Sequence, residues 1–252
     1  MTRPSSTGRR RCDGSRTILA TSSSWEHDNR GQLCVSPLLL HAAALSRRPD
    51  APRICFVPTA SADSTALIAQ AVTALSAAGA VPGVLTLFPW PNVDDITAYL
   101  LAHDVVWVWG GSVVNLLALW RAHGVDTAMR SAWEGGVVLS GVSAGSLCWH
   151  VGGTTDSYGP QLRPALDGLG LLPHSNSPHY DAEPQRRPLY QRLVAEGALP
   201  PGWATDDGVG LHFRGTELVE VVGERPGAGA WRVEPDGAGG VRETRLDARP
   251  LT

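Results

Sequence analysis

Asp104-Val-Val-Trp-Val-Trp109-Gly110-Gly111, a helix-like segment through Trp120, and then Gly136-Val-Val-Leu-Ser140-Gly141-Val-Ser143-Ala-Gly145 form the stretch on which the fold turns. The first apolar run has the length and the β-branched, aromatic composition of a strand, and two glycines close it. The second ends in a serine between glycines. Leu147 and Trp149 then read as the start of a further helix, with His150 lying along it. Buried strand, G-x-S-x-G turn and helix, in that order, make the setting of a nucleophile elbow. The glycines allow a turn tight enough to hold the hydroxyl clear of the backbone. An ordinary strand–helix turn with a surface serine has the same pattern, so the distinction lies in the rest of the chain.

Working outward, short apolar runs alternate with helical periodicity. Thr17–Ser22 reads as a strand that ends in the serine run 22–24, and a long polar connection follows it. Pro37–Leu45 reads as a helix with Ser36 as its cap. Arg53–Val57 is a strand, the alanine-rich stretch 61–80 a helix, Gly83–Phe88 a strand and Asp94–Leu101 a helix capped by Asn92. A short helix over Asp126–Trp133 precedes the strand before Ser143. Alternation of this kind predicts an α/β fold with a mostly parallel central sheet and helices on both faces. In such sheets ligands bind beyond the C-terminal strand ends, where Thr59, Gly110, Gly111 and Ser143 would gather.

After Val151 the pattern loosens. Residues 152–167 read as turns and loop, and Leu169–Ser177 leads into Pro178-His179-Tyr180-Asp181. Pro188–Glu196 reads as a helix. Leu211–Phe213, Glu217–Val222 and Ala230–Val233 read as antiparallel strands, followed from Pro235 by a peripheral hairpin and loose tail. The expected organisation is a flexible basic tail over residues 1–16 and a single α/β domain over 17–252 with a short antiparallel C-terminal extension.

Composition narrows the function. The chain has 252 residues, 43% of them hydrophobic, and 21 basic against 24 acidic residues for a formal charge of −3. That length supports one large core. The charge gives no reason to expect nucleic acid or an anionic membrane as partner. No apolar run approaches a bilayer span. Cys12, Cys34, Cys55 and Cys148 form no C-x-x-C pair, and Cys55 and Cys148 read as small buried hydrophobes. A reducing cytoplasm is the expected location.

A serine needs a base to take its proton, and the base needs a carboxylate to hold its tautomer. His27, His41, His103 and His123 read as surface or capping residues. His174, His179 and His212 remain, with His179 in a polar loop and His174 its nearest rival. The carboxylate is one of Asp181, Glu183, Asp206 or Asp207, the last two in a tight turn before Gly208. Backbone N–H groups of Gly110-Gly111 and Ala144 are candidates for an oxyanion hole. No G-x-G-x-x-G, P-loop or H-E-x-x-H is present, so no nucleotide or metal is expected; His174, His179 and Asp181 make only a weak metal candidate. The nine tryptophans read as core and pocket walls.

The motifs Val57-Pro58-Thr59-Ala60, Val108-Trp109-Gly110-Gly111-Ser112, Gly141-Val-Ser143-Ala-Gly145-Ser146, Gly168-Leu-Gly170-Leu, Ser177-Pro178-His179-Tyr180 and Asp206-Asp207-Gly208 occur in one order. Taken together, the chain resembles the peptidase E family of serine peptidases (the S51 group, which includes cyanophycinases) over roughly residues 17–222. The resemblance implies a class I glutamine-amidotransferase-like three-layer sandwich, with Ser143 as nucleophile, His179 as base, Asp207 as third member, and Gly111 and Ala144 as oxyanion donors. It implies no cofactor, a short peptide substrate, and a monomer or homodimer. Peptidase E releases N-terminal aspartate from dipeptides and cyanophycinases cut aspartate–arginine polymers, so Arg186 and Arg187 are candidate contacts for an acidic group. The competing readings are a non-catalytic small-molecule-binding protein on the same fold and a serine esterase or amidase.

Overall fold

A computed structural model describes residues 16–23 and 25–251. The expected N-terminal tail, with Cys12, lies outside the described residues except for Arg16. None of the described helices is long and apolar enough to cross a membrane.

The main sheet has eight strands. Its parallel heart is β1 (Thr17–Thr21), β7 (Val138–Val142), β6 (Val105–Val108), β4 (Arg53–Val57) and β5 (Val81–Val84), side by side in that order. On the other side of β1 lie β12 (Val209–Arg214), antiparallel to β1, then β13 (Glu217–Gly223), antiparallel to β12, and then β16 (Arg249–Pro250), parallel to β13. The sheet is therefore mixed.

Alternation along the strands sends side chains to two cores. Ile18, Ala20, Cys55, Val57, Val106 and Val108 face one, and Leu19, Ile54, Phe56, Val105 and Trp107 face the other. Strands buried on both faces explain why these runs are continuously apolar rather than alternating. On the Leu19 side, α1 (Pro37–Ala44) and α2 (Thr65–Ala77) cover the sheet with Leu38, Leu39, Ala71 and Leu75. On the Ile18 side lie α3 (Ile96–Leu101), α4 (Val113–His123), α5 (Val125–Glu134) and the short α6 (Ala144–Leu147).

A second sheet also packs on that side. It runs β15 (Val241–Asp247), β14 (Gly229–Pro235), β11 (Gly202–Thr205), β10 (Leu172–Ser177), β8 (His150–Thr155), β9 (Arg163–Ala165). Helix α7 (Arg186–Ala195) packs on it through Tyr190, Leu193 and Val194. Strands β8, β10 and β11 are mutually parallel, so their C-terminal ends share one edge.

Several local expectations are corrected. The helix after Ser143 is only four residues long, and His150 begins strand β8 instead of continuing it. Residues 152–167, read as loop, hold β9 and most of β8. The polar connection after β1 folds into a hairpin, β2 (Trp25–His27) with β3 (Leu33–Val35). The C-terminal strands are shared between both sheets, and the expected loose tail pairs as β16 with β13. The helix expected from residue 61 starts at Thr65, because Ala62 and Asp63 are left-handed (φ 54° and 50°). Asp95, not Asn92, caps α3, while the Asn92 side chain bonds Val84 and Thr86.

His150 shows what the buried second sheet demands. It is fully buried, its Nδ1 lies 3.0 Å from the Ser146 carbonyl oxygen, and desolvation pushes its pKa down to about 3. The folded imidazole stays neutral where the unfolded one, with a pKa near 6.5, is protonated. The unfolded chain thus binds more protons below that value, and stability falls as pH drops from the unfolded pKa toward the folded one. At about 1.4 kcal/mol per unit, His150 should lower stability by roughly 2 kcal/mol between pH 7.5 and pH 5. Denaturant midpoints at the two pH values measure this loss, and His150→Asn should reduce it; equal losses in both proteins would rule His150 out as the cause.

Candidate active site

Ser143 stands between the end of β7 and the start of α6 with φ 57° and ψ −110°, a conformation that costs a non-glycine residue about 1–3 kcal/mol. Surrounding bonds hold it there. Its N–H donates to the Thr21 carbonyl at 3.0 Å, and its own carbonyl accepts from Ser146 and Leu147 N–H at 2.9 Å each. The flanking glycines are required by close approach. A Cβ on Gly141 would lie 2.5 Å from the Val108 carbonyl oxygen, and one on Gly145 only 2.2 Å from it. The turn therefore packs directly onto the end of β6.

Just past that end, Gly110 lies against Ser143: a Cβ on Gly110 would stand 3.3 Å from Ser143 Cβ. Gly111, at φ 132°, passes so near Ala60 that a side chain would meet its carbonyl oxygen at 2.3 Å. Ser61 Oγ donates to the Gly110 carbonyl at 2.7 Å, and Ser112 N–H to the Ala60 carbonyl at 2.9 Å. The loop is thereby fixed with its amides uncommitted. Among the described residues, the N–H groups of Gly110, Gly111 and Ala144 have no hydrogen-bond acceptor.

The second sheet brings the other partners. His179 follows β10, and Asp207 sits in the turn after β11, where the chain crosses to β12 of the main sheet. His179 Nδ1 lies 2.6 Å from Asp207 Oδ1. That hydrogen bond is the main cause holding the Asp207 carboxyl below its ordinary range, with Arg225 and Arg186 adding smaller favourable charge. Asp207 is therefore an anion with a fixed imidazole on it. Ser143 Oγ makes no hydrogen bond among the described residues, so contact with His179 would have to tighten with substrate, as ligand-free catalytic sites commonly require.

The two halves are tied through the end of β1. Thr21 accepts from Ser143, and next to it Ser22 Oγ accepts the His179 N–H at 3.2 Å. Ser22 Oγ also lies 2.5 Å from Thr205 Oγ1, and Ser23 Oγ accepts the Gly208 N–H at 2.8 Å. One strand end thus holds the serine turn, the histidine loop and the aspartate turn.

The profile of peptidase family S51 matches residues 18–221. The chain belongs to this family. It is 45% identical over 182 residues to the uncharacterised peptidase YgaJ of Bacillus subtilis strain 168, covering 72% of this chain and 78% of that one. It is 32% identical over 216 residues to peptidase E of Streptomyces coelicolor, covering 80% of this chain and 76% of that one. A crystal structure of a peptidase from an acI-B1 Actinobacterium shares the fold at TM-score 0.62 and 16% identity, over 92% of this chain and 94% of that one. As an S51 peptidase, the chain is a serine-type hydrolase.

Within this S51 peptidase the rival residues lie elsewhere or do other work. Asp206 turns away from the histidine and accepts from Gly229 N–H at 3.0 Å and Trp231 Nε1 at 3.3 Å. Asp181 supports the aspartate turn, accepting the Asp207 N–H at 2.8 Å and pairing with Arg225 at 2.6 Å. His174 packs edge-on to Trp203, and His212 is buried on β12. Both arginines are engaged by protein groups. Arg186 is buried against Glu183 and the Thr154 carbonyl, and Arg187 pairs with Glu243 while stacking on Trp231 at 4.4 Å.

Sequence reasoning passed over Ser22 and Ser23. The available signal was a serine run at the C-terminal end of a strand in a parallel sheet, the edge where sites form. Beside the histidine loop, a cleft of about 360 Å³ opens between Asp156, Gly159 and Leu162 on one wall and Glu183, Pro184 and Gln185 on the other. Glu183 N–H bonds the His179 carbonyl at 3.1 Å, which makes that wall continuous with the site.

Proposed function

We propose that this chain removes residues from the N-terminus of short peptides through an acyl-enzyme formed on Ser143. The observation that carries the reading is the 2.6 Å contact from His179 Nδ1 to Asp207 Oδ1, in a loop tied through the end of β1 to a serine held at positive φ. Asp207 fixes the tautomer that leaves Nε2 free to take the Ser143 proton. The serine oxygen attacks the scissile carbonyl, and the N–H groups of Gly111 and Ala144 receive the charge that develops on the carbonyl oxygen. His179 then protonates the departing amine, and water, deprotonated by the same imidazole, releases the acyl group. Each step uses groups of this chain and requires no cofactor.

The finer fold reading is the class I glutamine-amidotransferase type of sandwich. It is supported by the parallel run β1-β7-β6-β4-β5, with the nucleophile turn following β7. For the substrate, the cleft beside His179 matters most. Its walls carry Asp156, a negative group suited to a free α-ammonium, while Glu183 is already paired with Arg186, and its size fits a short peptide rather than a folded chain. Resemblance to peptidase E makes Asp-Xaa dipeptides the leading substrates. Arg186 and Arg187, paired with Glu183 and Glu243, are better assigned to holding the loop than to reading an acidic side chain.

A panel of dipeptides, each free and N-acetylated, tests the proposal. Free Asp-Xaa should be cleaved and its acetylated form should not. Cleavage of both forms alike would remove the amine-recognition reading. No turnover on any member by folded protein would favour a ligand-binding role.

A further inference from the structure

The main sheet carries a second cluster on the face covered by α1, outside the site already described. His212 lies on β12 directly opposite Glu220 on β13 in the antiparallel register, and His41 reaches down to them from α1. His41 Nε2 stands 3.8 Å from Glu220 Oε2, and His212 Nδ1 stands 4.0 Å from the same oxygen. One donor atom from each of the three residues lies within 4.8 Å of the others. Arg249 Nε donates to the other oxygen, Oε1, at 2.6 Å, which fixes the carboxylate and leaves Oε2 turned toward the imidazoles.

Two features of this cluster are unexplained by protein contacts alone. His212 is buried, 5% exposed, and Nε2 of both His41 and His212 is buried with no hydrogen-bond partner. Buried polar atoms are nearly always paired, so such orphans point to a missing partner. Burial also lowers both imidazole pKa values, His212 to about 4, and the neutral ring is the form that can donate an electron pair.

We propose that His41, His212 and Glu220 bind a divalent transition-metal ion, zinc above all, and that the ion fastens α1 to the β12–β13 hairpin. Two imidazoles and one carboxylate form a borderline donor set that suits zinc over magnesium or calcium, with nickel and copper as the competitors. At bonds of about 2.0–2.2 Å, tetrahedral donors stand roughly 3.3–3.5 Å apart, so each imidazole–carboxylate distance contracts by about half an ångström and the imidazole pair, within 4.8 Å, by up to about 1.5 Å. The bond from Arg249 to the carboxylate is the kind of outer contact that orients a metal ligand. The cluster lies in mid-strand, whereas Asp207 lies in the turn before β12 begins at Val209, so the ion's role is structural and separate from peptide hydrolysis.

The test uses the full chain stripped with chelator, then titrated with zinc chloride by calorimetry and followed by thermal melting. Wild type should bind one zinc per chain saturably and melt at higher temperature when loaded. His41→Asn, His212→Asn and Glu220→Gln should each weaken binding by more than roughly tenfold and lose the melting shift, while His174→Asn keeps both. Unloaded melting of every variant checks folding, and Glu220→Gln, at a partly exposed position, is the variant least disturbed by substitution. Absence of saturable binding to wild type, or unchanged binding in folded Glu220→Gln and either histidine variant, would overturn the proposal.

Discussion

Ser143→Ala should lower kcat for a cleaved dipeptide by roughly 10⁴- to 10⁶-fold, the loss found when a triad nucleophile is removed. It should leave KM near its wild-type value. No other described hydroxyl stands at the tip of a strained strand-to-helix turn beside two uncommitted glycine amides. Ser143→Gly sharpens the prediction. Glycine adopts φ 57° without penalty, so this variant should be as inactive as alanine and yet more stable by about 1 kcal/mol. Inactivity together with a raised unfolding midpoint would mean that the backbone strain serves presentation of the hydroxyl. Turnover retained in either variant would remove Ser143 from the mechanism.

The main-sheet core was legible because burial on both faces writes itself as unbroken apolar runs. Arg53–Val57 was bounded in sequence as it is in the structure, and β6 and β7 were found to within a residue or two. Of the second sheet only β14, read as Ala230–Val233, was legible, for a physical reason. Its strands β8 and β10, HVGGTT and LPHSNS, are rich in glycine and small polar residues. Their polar side chains are satisfied by neighbouring elements: Thr154 Oγ1 meets Ser177 Oγ across strands at 2.7 Å, and Ser146 Oγ on α6 donates to Asn176 Oδ1 at 3.1 Å. Their glycines are there because neighbouring backbone comes close, as at Gly153, where a Cβ would fall 1.8 Å from the Asn176 carbonyl oxygen. Neither hydrophobic alternation nor β-branched enrichment marks such strands. His150 was therefore placed on a helix that the structure ends at Leu147.

The same contrast holds at the site. Motif order brought Ser143, His179 and the Asp206-Asp207 pair forward, since each sits in a turn with its own composition. What composition cannot carry is which of two adjacent aspartates faces inward, because that depends on how a turn crosses between sheets. Nor does it reveal that Thr21, Ser22 and Ser23 hold three separate loops, because their contacts span more than a hundred residues of sequence.

The adjacent aspartates allow the second large effect to be separated from a structural one. Asp207→Asn should reduce kcat by about 10⁴-fold, because an amide in place of the carboxylate favours the wrong imidazole tautomer and no longer stabilises the imidazolium. Its unfolding midpoint should fall modestly, since Asp207 is partly exposed and the loop keeps the Ser22 and Asp181 contacts to backbone. Asp206→Asn should do the reverse. It weakens the acceptor for Gly229 N–H and Trp231 Nε1, loosening β14 where it joins the second sheet, with a stability loss of about 1–2 kcal/mol and kcat within a few-fold of wild type. Because the two residues are neighbours in one turn, a shared collapse of that turn would make both variants lose activity and stability together. Opposite patterns, with activity lost at 207 and stability lost at 206, would mean that the turn performs two separable tasks. Activity retained in Asp207→Asn would place the imidazole's orientation with the Ser22 contact to its backbone rather than with the carboxylate.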